Sequence, residues 1–316
     1  MSNETIEKEM RKVFSDTLLD ILSNNNEIVA LDADLASSSG MLEAFNKFPK
    51  QCVNAGISEQ NMIGVSAGLS LVGLKPIVHS FAPFVTRRVL DQIYTSIAYG
   101  RNNIFIYASD PGYWSQYNGG THTTFEDFAM LRTIPEMTVF APSDSQSLAF
   151  MMRYYAKHGG AVYCRTPRSF MRTIYESAEC FAFGQFKKLG TGKDILFIAA
   201  GDTTSDVFYQ VIPMLANNDI HAAVIDLLFV KPQKTEELLQ EIKNYSHVIS
   251  VENHNVLGGI GDMVAAMIAE HCLKCKFLKI GVHDRFGEVG DKGFLKKELG
   301  LDPVSIFNKA EVFYTE

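Results

Sequence analysis

The chain is poor in several features, and each shortage removes a class of function. Only five cysteines occur in 316 residues, at Cys52, Cys164, Cys180, Cys272 and Cys275. Their odd number and scatter argue against a disulfide framework and for thiols kept reduced in the cytoplasm. Cys272 and Cys275 make a C-x-x-C beside His271, but no second pair accompanies them, and a structural zinc site needs four ligands. No metal ligand is therefore assigned. No apolar run reaches the length of a membrane span, and the polar N-terminus lacks the apolar core of a signal peptide. No cluster of basic residues interrupts the net charge of −7, so neither nucleic acid nor a membrane is an expected partner. A P-loop is missing as well.

What is present reads as an α/β protein. Hydrophobic residues at 47% and charged residues at 21% are ordinary for a globular chain, and the length suggests about two domains. Apolar residues recur at helical spacing from Ile6 to Leu22 and stop at Asn24-Asn25-Asn26. Short continuous apolar runs then alternate with helical segments such as Asp91–Tyr99 and Ser145–His158. The runs lie at residues 28–31, 75–80, 103–108, 138–141 and 161–164. Such runs, buried on both faces, predict a parallel sheet with helices on both sides. Ligands gather beyond the carboxyl ends of such strands, where Asp34, Phe81, Asp110 and Arg165 fall. A second cycle follows Lys193, with runs at 194–201, 222–226, 247–252 and 277–281. The intervening stretch lacks periodicity, so the domains are expected at 1–185 and 186–316, the second a smaller α/β unit.

The most informative residue is Glu59. It follows the Ala55-Gly56 turn and opens a helix of small and apolar residues, Met62-Ile63-Gly64-Val65-Ser66-Ala67-Gly68-Leu69. Ser58 is placed to cap that helix, and the first turn offers no basic partner. A carboxylate on such a surface either points to solvent or is partly buried with a raised pKa. The structural alternative is an acid that complements a helix N-terminus.

Taken in order, these motifs resemble the transketolase family of thiamine-diphosphate enzymes. Residues 52–71 resemble its pyrimidine-binding turn, and His79-Ser80-Phe81-Ala82-Pro83-Phe84 its strand-end aromatic pair. Gly119-Gly120-Thr121-His122 with Phe125-Glu126-Asp127 resembles its histidine loop. Val251-Glu252-Asn253-His254-Asn255 with Gly258-Gly259-Ile260-Gly261, and Asp284-Arg285-Phe286-Gly287-Glu288, continue the resemblance to the end. The resemblance implies that Glu59 hydrogen-bonds the cofactor's aminopyrimidine and that Glu59 and His122 are catalytic. It implies further that Ile57, Phe81 and Phe84 contact the cofactor, that His122 contacts the cofactor's amino group or substrate oxygens, and that Arg165, Ser109, Asp110 and Asn118 face the substrate. Arg168 is a second candidate beside Arg165. Core packing for the aromatic pair and a surface ion pair for Arg165 are the plain alternatives.

One half of the cofactor site is not found. Thiamine diphosphate also needs Mg²⁺ held by hard oxygen ligands at its diphosphate, which the family supplies from a Gly-Asp-Gly strand end and a later Asn. Gly201-Asp202-Thr203 and Gly261-Asp262-Met263 lie in the second cycle without such an Asn. The expectation is therefore the C-terminal subunit of a split transketolase, with the Mg²⁺ ligands on a separate diphosphate-binding subunit. Two copies of this chain and two partners would form a heterotetramer. The implied reaction transfers a two-carbon ketol unit from a ketose to an aldose. Relatives acting on phosphorylated sugars often carry His where this chain has Ser109, and Asp where it has Asn118. A differently ended anionic sugar, a sulfosugar among them, is thus an open substrate. The β subunit of a pyruvate-dehydrogenase-like complex and a non-catalytic scaffold of the same fold are the other readings.

Overall fold

The apolar runs become the strands of two parallel sheets. The computed structural model describes residues 7–316. Residues up to Pro111 together with Met130–Phe181 form one unit, and Gly112–Ala129 together with Ala182–Glu316 form a second. The stretch 112–129 thus groups with the second unit although its neighbours in sequence are strands of the first.

In the first unit, six strands run parallel: β1 (Ile28–Asp32), β2 (Cys52–Asn54), β3 (Lys75–Phe81), β4 (Ile104–Ser109), β5 (Thr138–Phe140) and β6 (Ala161–Thr166). Their order across the sheet is β5-β6-β4-β3-β1-β2. The chain leaves β1 for β2 on one side and then crosses to β3 on the other, so the carboxyl ends of β1 and β3 border the topological switch point. Helix α1 (Met10–Asn24) buries Met10, Phe14, Leu18 and Ile21, and Phe14 stacks on Tyr107 at 3.8 Å. Ile6, read as the start of this helix, lies outside the described residues. Glu7–Glu9 instead pairs as a short antiparallel strand with Phe170–Arg172. Helix α2 (Glu59–Leu71) buries Met62, Ile63, Ser66 and Ala67, whereas Gly64, Val65, Gly68 and Leu71 stay exposed. Helix α3 (Ser145–His158) starts at a capping box in which Asp144 accepts from Ser147 N at 3.0 Å.

The second unit holds β7 (Lys187–Leu189), β8 (Ile195–Ala199), β9 (Ala222–Asp226), β10 (His247–Asn255) and β11 (Lys276–Val282), in the order β11-β10-β8-β9-β7. All pair in parallel except β7, which lies antiparallel to β9 at the edge. That strand escapes sequence reading because three residues are too few to show alternation. Helices α4 (Thr235–Ile242), α5 (Ile260–Glu270), α6 (Lys292–Glu298) and α7 (Pro303–Thr315) belong to the unit as well, beside a helical stretch over residues 202–216. Among the described residues no helix is long and apolar enough to cross a membrane. Burial pushes the Cys164 thiol up and that of Cys52 up to about 11, so both are protonated at neutral pH.

Candidate active site

Glu59 is the first residue of α2, and only 3% of it is exposed. Ser58 does not cap the helix as expected: its hydroxyl turns back and donates to the Ala55 carbonyl at 2.7 Å. Glu59 is the acidic residue of the first turn, where the macrodipole favours negative charge. Its partner comes from outside the first turn. Arg88 Nη1 donates to Oε2 at 2.7 Å, and Ser80 Oγ lies 3.3 Å from Oε1. The same guanidinium lies 4.1 Å from the centre of the Phe84 ring, a cation–π placement. Sequence spacing could not reveal Arg88, since 29 residues separate it from Glu59.

Phe81 and Phe84 form an edge-on pair with ring centres 6.2 Å apart, both only partly buried. They stand where β3 ends, so a flat apolar group has rings to rest on beside a buried acid. Ile57 is 79% exposed and offers its side chain outward from the turn before α2.

Asp32, His79 and Ser109 bridge the ends of β1, β3 and β4, and all three are fully buried. His79 Nδ1 lies 2.9 Å from Asp32 Oδ2, and Nε2 lies 3.0 Å from Ser109 Oγ. Sheet register sets this up, because Asp32 is opposite His79 and Ser109 is opposite Phe81. The Ser109 hydroxyl meets an imidazole in this arrangement. Asp110 is buried with φ +54°, and its carboxylate accepts from Arg168 N at 2.8 Å and Nε at 2.6 Å. Arg168 in turn lies over Phe81 at 4.8 Å. Arg165, opposite Ala108, is 6% exposed. A surface ion pair is therefore not its role, as a solvated guanidinium would not be drawn inside the sheet end.

The remaining two candidates sit in the second unit. His122 is half-buried, with Nδ1 2.9 Å from Thr121 Oγ1 and its N–H donating to the Gly119 carbonyl at 3.1 Å. Asn118 is exposed and donates to the Ser115 carbonyl at 2.8 Å.

The residues present fit an aminopyrimidine: a buried carboxylate to share a hydrogen bond and partly exposed rings to receive the plane. They do not fit a metal–diphosphate group. Asp202 accepts from Tyr113 Oη and from Trp114 Nε1 at 2.7 Å. Asp262 accepts from Gly258 N at 2.6 Å and pairs with Lys279 at 2.7 Å. Both carboxylates of the two Gly-Asp motifs are committed to the unit's own structure, and no cluster of three His, Cys, Asp or Glu suited to a metal occurs among the described residues.

Arg88→Ala should destabilise the subunit by about 1–3 kcal/mol, because a buried carboxylate loses its charged partner. The lower part of that range reflects the half-exposed arginine. Urea unfolding at matched slopes measures it, and an unchanged midpoint would show the ion pair to be idle.

Known proteins bear on this geometry. Residues 7–173 match the transketolase pyrimidine-binding domain and residues 184–306 the transketolase C-terminal domain. The 6-deoxy-6-sulfo-D-fructose transketolase subunit SqwH of Clostridium sp. (strain MSTE9) is 36% identical over 301 residues, 95% of this chain and 93% of that one. An apulose-4-phosphate transketolase subunit of Phocaeicola vulgatus is 32% identical over 304 residues, 96% of each chain. A split-gene transketolase, solved as an inactive β4 tetramer, superposes with a TM-score of 0.87 at 32% identity, covering 97% of this chain and 98% of that one. With both domains matched in order and relatives aligned end to end, the chain belongs to the transketolase family, of which it carries the pyrimidine-binding and C-terminal domains.

Proposed function

We propose that this chain is the pyrimidine-binding subunit of a split, thiamine-diphosphate-dependent transketolase that moves a two-carbon ketol unit from an anionic ketose to an aldose. The observation that carries the reading is Glu59: a buried carboxylate at a helix N-terminus, beside the switch point of a parallel sheet and next to Phe81 and Phe84. When bound, the cofactor supplies the nucleophilic carbon for the transfer. The chain's own work is to orient the pyrimidine on Phe81 and Phe84 and to move a proton at the Glu59 carboxylate. His122 serves as a proton-transferring or hydrogen-bonding group to substrate oxygens, a role for which an imidazole is chemically suited. Arg165 is assigned to the anionic end of the sugar, supported by its burial at the carboxyl end of β6.

Arg88 already uses the two contacts assigned to the pyrimidine, the Glu59 carboxylate and the Phe84 ring. A planar, cationic hydrogen-bond donor there has the chemistry of an aminopyrimidine, so the arginine gives way when the cofactor enters.

The substrate's far end is read as a sulfonate or a phosphate. Support comes from the sulfosugar and apulose-phosphate transketolase subunits and from Ser109 and Asn118 replacing the residues often found with phosphorylated sugars. Co-expression with a diphosphate-binding chain, followed by ketol transfer from 6-deoxy-6-sulfo-fructose and from fructose 6-phosphate, tests this. Transfer from neither ketose, in a complex that binds the cofactor, would refute the reading.

Pairing of two copies through α2 is the proposed assembly. A Cβ built at Gly64 or Gly68 meets nothing within 4 Å, so nothing within the subunit requires glycine there. Closely approaching helices favour such small residues. Gly68→Arg should stabilise the isolated subunit by about 1 kcal/mol through helix propensity and yet dissociate the pair. Light scattering that finds the variant still paired would rule out this helix as the interface.

A further inference from the structure

The loop that carries His122 starts and finishes on one strand of the C-terminal domain. At its start, the buried side-chain Oδ1 of Asn253 accepts from Tyr113 N at 3.2 Å. At its finish, Asn255 N donates to the Phe125 carbonyl at 2.7 Å. Both residues belong to β10. Between these anchors the loop closes on itself. Gly112 N donates to the Thr124 carbonyl at 3.0 Å, the hydroxyls of Ser115 and Thr123 lie 2.5 Å apart, and Thr123 Oγ1 donates to the Gly119 carbonyl at 2.9 Å.

A third hold comes from Gly287. A Cβ at that position would lie 2.5 Å from both Cβ and Oγ1 of Thr123, which is below any real contact between such atoms. A Cβ on Gly120 would in turn lie 3.0 Å from the Gly287 carbonyl oxygen. Gly287 is not in the left-handed region, so the demand for glycine here is one of room, not of backbone freedom. Its segment is pinned by Arg285, which pairs with Glu288 and, at 3.3 Å, with Glu298 at the end of α6. His122 sits between Gly120 and Thr123, both of which lie beside Gly287. A side chain at 287 must push on Thr123, the residue that follows His122.

We propose that Asn253 and Gly287 are positioning residues for His122, so that the C-terminal domain sets how the acceptor sugar is received. This rests on the reading of His122 as a substrate contact. A histidine displaced by about 1 Å costs on the order of 10²-fold in rate when reacting groups must be aligned.

The test compares Gly287→Ala with wild type in the co-expressed, cofactor-loaded complex. The expected result is a fall of about 10–100-fold in kcat/KM for the acceptor. Cofactor affinity by calorimetry and exchange of the cofactor C2 proton should stay unchanged, because on this reading His122 meets the sugar and not the cofactor. The His122 ring signals, followed by NMR of carbon-labelled histidine, should shift. Asn253→Ala, which removes an acceptor without adding bulk, should repeat the pattern and serves if Gly287→Ala does not fold. Normal acceptor kinetics with unmoved His122 signals in the folded variant would overturn the proposal. If His122→Ala itself keeps full turnover, the reading of His122 falls and takes this inference with it. Loss of turnover in His122→Ala together with wild-type behaviour of Gly287→Ala would overturn the inference alone.

Discussion

Glu59→Gln is expected to leave assembly largely intact and to remove most turnover, by a factor on the order of 10²–10⁴ for one lost acid–base contact. The substitution keeps shape and volume, so Ser80 still has an oxygen to approach and Met62 and Ile63 of the same helix still pack. What disappears is the capacity to take up and give back a proton at a fixed point beside the pyrimidine. The ion pair to Arg88 is lost too, but the arginine side chain is 42% exposed and can be hydrated where it stands, which limits the penalty on folding. Exchange of the cofactor C2 proton in the complex separates this role from sugar binding, because no sugar takes part. Exchange at the wild-type rate would show that Glu59 only satisfies the helix end.

Much of the fold could be read from periodicity because both sheets are buried on two faces. The runs at 28–31, 75–80, 103–108 and 161–164 appear as continuous buried strands, and the helix Ser145–His158 has the expected bounds. Elements too short to carry a period were lost. The strand Lys187–Leu189 and the pairing of Glu7–Glu9 with Phe170–Arg172 are three residues each, and their register is a tertiary matter. The grouping of 112–129 with the second unit is equally invisible. It depends on Asn253 and Gly287, more than a hundred residues further on.

The candidate site was legible through motifs, while the partners of its residues were not. Glu59, Phe81, Phe84 and Arg165 are named by sequence, yet Arg88, which holds Glu59, sits in a stretch with no periodic signal. Asp110 and Ser109 are at the strand end as expected, but Arg168 and His79 engage them. A sequence shows which groups arrive at the end of a strand; it does not show which of them spend their hydrogen bonds on each other. His79 offered a faint signal, a histidine among apolar residues in a buried run, where an imidazole needs polar partners.

The largest effect should come from withholding the partner. The chain alone is expected to show no ketol transfer and no Mg²⁺-dependent binding of thiamine diphosphate. A diphosphate with its magnesium needs several oxygen ligands free to turn toward the ion, and it carries charge that a lone pyrimidine site does nothing to balance. The two Gly-Asp motifs that resemble such a site are not free to serve. Asp202 is held by the Tyr113 hydroxyl and the Trp114 indole, and Asp262 by Lys279 and the Gly258 amide. Turning Asp202 outward would leave the buried donors of Tyr113 and Trp114 unsatisfied, at about 1–3 kcal/mol each, and turning Asp262 outward would break its pair with Lys279. What remains is the ring end of the cofactor, resting on Phe81 and Phe84, with Glu59 shared against Arg88. Titration calorimetry with and without Mg²⁺, on the chain alone and on the complex, reads the difference directly. Tight binding by the isolated chain that depends on Mg²⁺ would refute the split site, since it would require a diphosphate cradle within these residues.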